Sequence, residues 1–489
     1  MQLQSSRGSA PGSDATLGEQ LASHYAERIG QRALQPGARL PSVRECARNH
    51  GVSPSTVVAA YDRLQAQGLV EARRQRGFFV RGATGAAPAA APRPDVPLAL
   101  PVPQDAAALI RGMFRTRTSL PGPGHGTLPE SWLDAALLQR ALRRAVNDIG
   151  DALRYGEPAG DASLRSALAR RLTHELGIAC SAEQIVTAVG ATHALDIVAR
   201  TLLTPGDAVL VDEPGWVVEH ARLTRLGMRL LPVPRGPLGP DLATMRALAA
   251  EHRPRLFVTV SVLHNPTGAS LSLAAAHQVL QLAEAADLIV VEDDTYAWLA
   301  PPHLPRLAAL DGLRRTVYVT GFSKILVPNW RVGAIAASPA LVERLVDTKL
   351  LSSLTTPAIL ERAVAWCLDQ GLLRRHAERV TARLAASRAR VVRLAQDAGC
   401  RFVAEPQGLF GWVDTGVDTE ALAQTLSAEG WLIAPGRLFF VQPRSRTLMR
   451  VNFASAQDAR FWRAFERARD ALLRDTDPDR SAGHARAGL

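Results

Sequence analysis

Lysine is almost absent from this chain. Of its 57 basic residues only Lys324 and Lys349 are lysine, and the rest are arginine. Arginine thus serves almost everywhere that a positive charge suffices. A lysine kept in such a background marks chemistry that arginine cannot do. Schiff-base formation with an aldehyde is the leading case, because it needs an amine able to lose its proton. Chance retention is the plainer account, and we favour it for Lys349. Cysteine is also scarce. Cys46, Cys180, Cys367 and Cys400 are scattered, with no CxxC pair, which argues against a disulfide framework or a zinc site and suits a reducing cytoplasm. No uncharged apolar run approaches the roughly 20 residues that a membrane-spanning helix needs. The first residues, MQLQSSRGSAPGSD, lack a basic stretch followed by an apolar one, so no secretion signal is expected. What is present is size and apolar content. With 489 residues, 47% of them apolar, the chain exceeds one ordinary core and predicts two or three domains. A net charge of +11 permits a nucleic-acid partner without requiring one.

Composition divides the chain. Residues 1–16 read as a disordered tail, 17–81 as a compact small domain, and 82–104 as a semi-stiff Ala/Pro/Gly-rich linker. From 105 to 476, short apolar runs alternate with helical patterns. The runs are QIVTAV (184–189), AVLVD (208–212), RLFVTVS (255–261), LIVVED (288–293) and TVYVTG (316–321). Such alternation predicts an α/β domain with a mainly parallel sheet. Its larger lobe is expected at about 160–345 and a smaller, Ala/Leu/Arg-rich helical lobe at about 346–476, followed by a tail at 477–489.

In the small domain a first helix is expected over Gly18–Arg32. Pro41-Ser42 then opens a second helix ending near His50-Gly51, and Ser53-Pro54 caps and opens a third. Val57, Ala60, Tyr61 and Leu64 give the third helix its buried face. Ser55 and Thr56 stand at its start, where a recognition helix meets base edges. LVEARRQRGFFV reads as a β-hairpin wing with Arg73, Arg74 and Arg76 at its tip, suited to phosphates or a minor groove. The pattern from Gly37 and Leu40-Pro41-Ser42 through Arg44, Val52-Ser53, Thr56-Val57, Tyr61, Leu64 and Gly68 to Gly77 and Val80 resembles the GntR-type winged helix-turn-helix family. That α+β resemblance implies DNA contacts by Arg44, Ser53, Ser55, Thr56 and Arg76. Pro54 replaces an arginine frequent in the family. The competing use of such a domain is protein contact.

The larger domain carries a second set of groups. Gly190-Ala191-Thr192 opens a helix after QIVTAV, Trp216 follows AVLVD, Asn265 follows RLFVTVS, and Asp293 and Tyr296 follow LIVVE. Ser323 and Lys324 follow TVYVTG, and Arg331 comes seven residues later. These groups suit pyridoxal 5′-phosphate. They supply an amine for the aldehyde, a carboxylate for the ring nitrogen and donors for the phenolic oxygen. An indole is available for the ring face, and backbone N–H groups with an arginine for the phosphate. Each item alone has a plainer reading as a turn or helix start; their order after successive strands carries the argument.

With Tyr155-Gly156-Glu157-Pro158-Ala159-Gly160 and Leu164-Arg165, residues 105–476 resemble a class I/II, fold-type I aminotransferase. The resemblance implies that Lys324 is the catalytic amine, that Tyr155 reaches the pocket from a dimer partner, and that Arg450 in LMRVNF binds a substrate or effector α-carboxylate. Gly321 stands where many relatives have a phosphate-binding serine, which Ser323 and Thr192 are expected to replace. The two domains in tandem resemble the MocR subfamily of GntR-type regulators. That implies a cytoplasmic bacterial transcription factor on the nucleoid, a homodimer with exchanged domains, sensing the cofactor or an amino-group effector. Two alternatives stay open: an aminotransferase with an accessory DNA-binding domain, and a large domain serving dimerisation alone.

Overall fold

The computed structural model describes residues 16–30, 34–35, 37–73, 77–80, 122–147, 153–442 and 446–476. Its contacts divide the chain into two compact units, residues 1–98 and 99–489. In the first, helices α1 (Leu17–Gly30), α2 (Val43–His50) and α3 (Pro54–Ala66) precede an antiparallel hairpin, β1 (Val70–Arg73) with β2 (Gly77–Val80). The sequence dictates these ends. Ser42 caps α2 in a reciprocal capping box with Glu45, and Gly51 closes it in the left-handed conformation. Ser53 caps α3 by accepting from Thr56 N, and Pro54 occupies the first turn. Val57, Ala60, Tyr61 and Leu64 are fully buried against Leu21 and Tyr25 of α1 and Cys46 of α2. The expected first helix differs slightly: it spans Leu17–Gly30, and residues 31–33 fall outside those described.

The second unit is built on an eight-stranded sheet. In chain order its strands are β3 (Ile185–Val189), β4 (Ala208–Glu213), β5 (Arg229–Gly236), β6 (Gly239–Pro240), β7 (Leu256–Thr259), β8 (Ile289–Asp293), β9 (Thr316–Gly321) and β10 (Val332–Ala336). Their spatial order is β3-β10-β9-β8-β7-β4-β5-β6. Alternate residues serve opposite faces. Val209 and Val211 pack with Leu195 and Leu345 on one side, while Leu210 packs with Met245 and Val279 on the other. All five runs expected as strands are strands, but β5, β6 and β10 were not foreseen. β10 also modifies the parallel sheet: it runs antiparallel between β3 and β9.

The C-terminal region is not helical alone. Long helices, among them Leu372–Asp397 and Ala459–Thr476, accompany a four-stranded antiparallel sheet. Its strands β11 (Arg401–Phe402), β12 (Phe410–Asp414), β13 (Ala434–Pro435) and β14 (Leu448–Asn452) are ordered β11-β12-β14-β13. These strands are two to five residues long, too short for periodicity to separate from loop. No helix among the described residues is long and apolar enough to cross a membrane.

Leu64 lies at 0% exposure in the three-helix core. Leu64→Ala is expected to destabilise the N-terminal unit by about 3 kcal/mol. Urea denaturation should show the first unit unfolding earlier while the second keeps its transition.

Candidate functional site

The site sits at one edge of the large sheet. Gly190, Trp216, Asn265 and Lys324 follow the C-terminal ends of β3, β4, β7 and β9, and Asp293 ends β8, where open α/β sheets leave a crevice. Arg331 arrives differently. β10 is antiparallel, so its start lies at this same edge, and Val332 pairs with Val189. Arg331 thereby meets Gly190, a residue at φ +75°. A Cβ at Gly190 would stand 2.5 Å from Arg331 Nη2 and 2.8 Å from its Cζ. The absent side chain makes room for the guanidinium over the start of the helix Gly190–Leu202. No side chain caps that helix start, and its exposed N–H groups favour an anion. Arg331 donates to Ser323 Oγ (2.9 Å) and to Val189 O (3.3 Å).

A cavity of about 100 Å³ joins these groups. Ala191, Thr192, Trp216, Asn265, Asp293, Tyr296, Ser323, Lys324 and Arg331 all line it; nine of the expected cofactor residues thus converge. Gly190 underlies the Arg331 cradle. Tyr155 does not join them within one chain: it is 83% exposed and absent from the lining. Thr295 and Glu219 line the cavity too and were missed. Thr295 donates to Asp293 Oδ1 through its backbone N (3.0 Å) and its hydroxyl. Glu219 is buried and held by Arg222. Its signal in the sequence is slight, a charged residue three positions after Trp216.

The electrostatics follow from burial. Burial pushes the Asp293 carboxyl up to about 6, and the nearby Glu219 charge adds to the rise. A cationic ring nitrogen facing Asp293 would favour its ionised form. Burial, with Arg450 and Arg331 nearby, lowers the Lys324 ammonium to about 8, against an ordinary value of 10.5. Lys324 Nζ donates to Gly126 O at 2.7 Å. Tyr296 is raised above its usual range by burial and stacks edge-on against Phe410. The turn carrying Asn265 is fixed by His264 Nδ1 with Thr267 Oγ1 (2.9 Å) and by Gly268, where a Cβ would lie 2.5 Å from Phe410 O.

Arg450 is fully buried. It donates through Nη1 to Asn265 Oδ1 (3.2 Å) and through Nη2 to the carbonyls of Gly124 (2.7 Å) and His125 (3.3 Å), while Nε has no partner. Burial lowers its pKa to about 10, so it keeps its charge at neutral pH. At Gly321, a Cβ would lie 3.3 Å from Ala191 N. A serine there would press on the helix start, whereas Ser323 reaches Arg331 without that conflict. Lys349, by contrast, is buried beneath β3 and donates to Thr187 Oγ1 (3.1 Å) and Thr356 Oγ1 (3.3 Å).

In the N-terminal unit Arg44, Ser53 and Ser55 are exposed and Thr56 is half-buried. Ser53 Oγ lies 2.8 Å from Ser55 Oγ and 2.7 Å from Thr56 Oγ1, so the start of α3 presents a cluster of small polar groups. Arg73 ends β1. Its side chain, and Arg74 and Arg76 entirely, lie outside the described residues. Arg39, not anticipated, bridges to Phe79 of the wing and brings its guanidinium beside Gly77.

Residues 17–80 match the bacterial regulatory proteins of the gntR family, and residues 120–467 match aminotransferase class I and II. The HTH-type transcriptional regulator TauR of Rhodobacter capsulatus is 30% identical, over 89% of this chain and 92% of its own length. This chain belongs to the MocR subfamily of GntR-type regulators. The probable rhizopine catabolism regulatory protein MocR of Rhizobium meliloti is 29% identical, over 77% of this chain and 76% of its own. Among solved structures, the α-aminoadipate aminotransferase LysN of Thermus thermophilus, complexed with N-(5′-phosphopyridoxyl)-L-leucine, shares 26% identity. It has a TM-score of 0.67 and covers 76% of this chain and 97% of its own. The large unit of this MocR-type regulator therefore has the fold-type I aminotransferase fold, whose aminotransferase class I/II homologues bind pyridoxal 5′-phosphate. The residues fit that group. The cradle at Gly190 and Arg331 suits its phosphate, Asp293 its ring nitrogen, and Lys324 its aldehyde.

The Lys324 value sets a pH dependence. Neutral amine is needed to attack an aldehyde. A pKa near 8 makes about one-hundredth of Lys324 neutral at pH 6 and about half at pH 8. Stopped-flow absorbance should show cofactor capture quickening with pH and levelling above 8, not above 10. Lys324→Ala should abolish the visible band of lysine-bound cofactor.

Proposed function

We propose that the large unit of this DNA-binding regulator senses amino-group effectors, and that their binding changes how the winged helix engages its operator. The observation that carries this reading is the completeness of the pocket. Lys324, Asp293, Asn265, Tyr296 and Arg331 line or frame one cavity, and Arg450 reaches Asn265 beside it, in a chain whose first unit is a winged helix. Pyridoxal 5′-phosphate bound there supplies an aldehyde for amines and an electron-accepting ring. The protein's own groups do the rest. Gly190, Ala191, Thr192, Ser323 and Arg331 would hold its phosphate, and Asp293 would serve the ring nitrogen. Asn265 and Tyr296 would hold the phenolic oxygen, Trp216 would serve the ring face, and Lys324 would present the amine. Arg450 anchors an effector carboxylate. A difference in affinity between two states of the protein then shifts DNA binding.

The reading includes a homodimer with exchanged domains. Leu153 and Tyr155 are 84% and 83% exposed, an arrangement that suits burial against a second copy and delivery of Tyr155 to the partner's pocket. It places the protein in the bacterial cytoplasm, on the nucleoid when bound to DNA. Arg44, Ser53, Ser55, Thr56, Arg73, Arg74 and Arg76 are the DNA-contacting residues of this proposal. The intact Lys324, Asp293 and Arg450 also favour a second reading, residual transamination, which stoichiometric amino-group transfer to a keto acid would establish.

The test is fluorescence anisotropy of the full chain on DNA upstream of its own gene against scrambled DNA, with and without cofactor and amino acids. Preferential, ligand-dependent binding supports the proposal; equal binding unaffected by ligands refutes it. Arg450→Ala should keep the cofactor absorbance and lose any response to amino acids. Arg76→Ala should weaken binding to all sequences alike and reduce the slope of log affinity against log salt by about 1.

A further inference from the structure

One short segment touches both reactive cations of the site. Residues 122–127, Gly-Pro-Gly-His-Gly-Thr, come directly after residues 81–121, which join the two units in sequence and lie outside those described. Gly124 O and His125 O accept from Arg450 Nη2, and Gly126 O accepts from Lys324 Nζ. The strap is itself anchored to the small lobe. Asn452 Nδ2 donates to His125 O and Thr127 O, both at 2.9 Å. Ser455 Oγ donates to Gly122 O (2.8 Å), and Gly124 N donates to Leu432 O (2.9 Å). Two of its glycines are required by contact: a Cβ at Gly124 would lie 2.6 Å from Ile433 C, and one at Gly122 2.6 Å from Leu432 O.

The donors of Arg450 are unevenly used. A carboxylate that binds the guanidinium side-on takes Nε and Nη2 together. Nε is buried without a partner, whereas Nη2 is committed to the strap. A carboxylate that seeks this edge finds one donor waiting and must take the other from two neutral carbonyls. Both kinds of bond draw on the charge of Arg450, but the carboxylate adds a full opposite charge and two parallel bonds that neutral carbonyls cannot offer, so the exchange runs in its favour.

We propose that residues 122–127 form a latch that an effector's carboxylate displaces from Arg450, and that this displacement carries the signal into the residues leading to the DNA-binding unit. The proposal rests on the effector-sensing reading above and names its moving part. Occupancy of the cofactor pocket alone leaves the latch on Arg450; the carboxylate releases it.

Two probes isolate the carboxylate. Pyridoxamine 5′-phosphate and N-(5′-phosphopyridoxyl)-L-leucine both fill the pocket without using the Lys324 amine, and only the second carries a carboxylate. Hydrogen exchange at residues 122–128 of the cofactor-free full chain should be about tenfold faster with the second probe than with the first. Affinity for the upstream DNA should differ by about fivefold or more between the same two complexes. Gly124→Ala and Asn452→Ala, each with pyridoxamine 5′-phosphate alone, should reproduce both changes; near-ultraviolet circular dichroism reports that they fold. Equal exchange in the two wild-type complexes overturns the latch, and if DNA affinity still differs, effector sensing stands without it. Variants that fold and expose the strap yet bind DNA as wild type does overturn its signalling role. DNA affinity indifferent to both probes removes the sensing function itself and the signalling role with it.

Discussion

A buried guanidinium organises the second unit. Arg450 has no exposed surface, and a charge so placed costs several kcal/mol unless its donors are satisfied. Strand β14 supplies the residue, which pairs across the small sheet with Trp412 and Ala434. The large sheet supplies Asn265, and the segment after residue 121 supplies two carbonyls. Phe410, Phe439 and Trp216 surround the group, with ring centroids 4.5, 5.3 and 5.9 Å from Cζ, and add cation–π attraction in a desolvated setting. Three distant parts of the chain thus meet at one charge.

The phosphate cradle obeys a second constraint, the want of space. Arg331 and the helix start at Gly190 approach closely because glycines stand at the contact: Gly190 admits the guanidinium, and at Gly333 a Cβ would lie 2.6 Å from Gly190 C. Backbone N–H groups and a guanidinium then converge without a side chain between them. This is why Gly321 is tolerated. Space at the helix start is already filled, and Ser323 takes a place beside Arg331.

Much of this was legible in residues. Pro41 with Ser42, Ser53 with Pro54, and Gly51 announce helix ends through neighbours a few positions apart, and those signals hold wherever the chain goes. The five apolar runs reveal strands for the same local reason. Lys324 stands out through rarity, and Asp293, Asn265 and Trp216 through their places after strands. Lys349 shows the limit of the rarity argument: it is as rare as Lys324, yet sits in a buried cluster of threonine hydroxyls.

The sequence alone determined the winged helix, the αβ alternation and the identity of most pocket residues, because helix caps, strand runs and turns depend on neighbours within a few positions. Tertiary structure alone decided three things. It set β10 antiparallel, which brings Arg331 to Gly190. It left Tyr155 exposed on a single chain. It laid residues 122–127 across Arg450, more than 300 positions away. Contacts so distant in sequence have no periodicity or cap to announce them; they exist only once sheet order and packing bring the segments together.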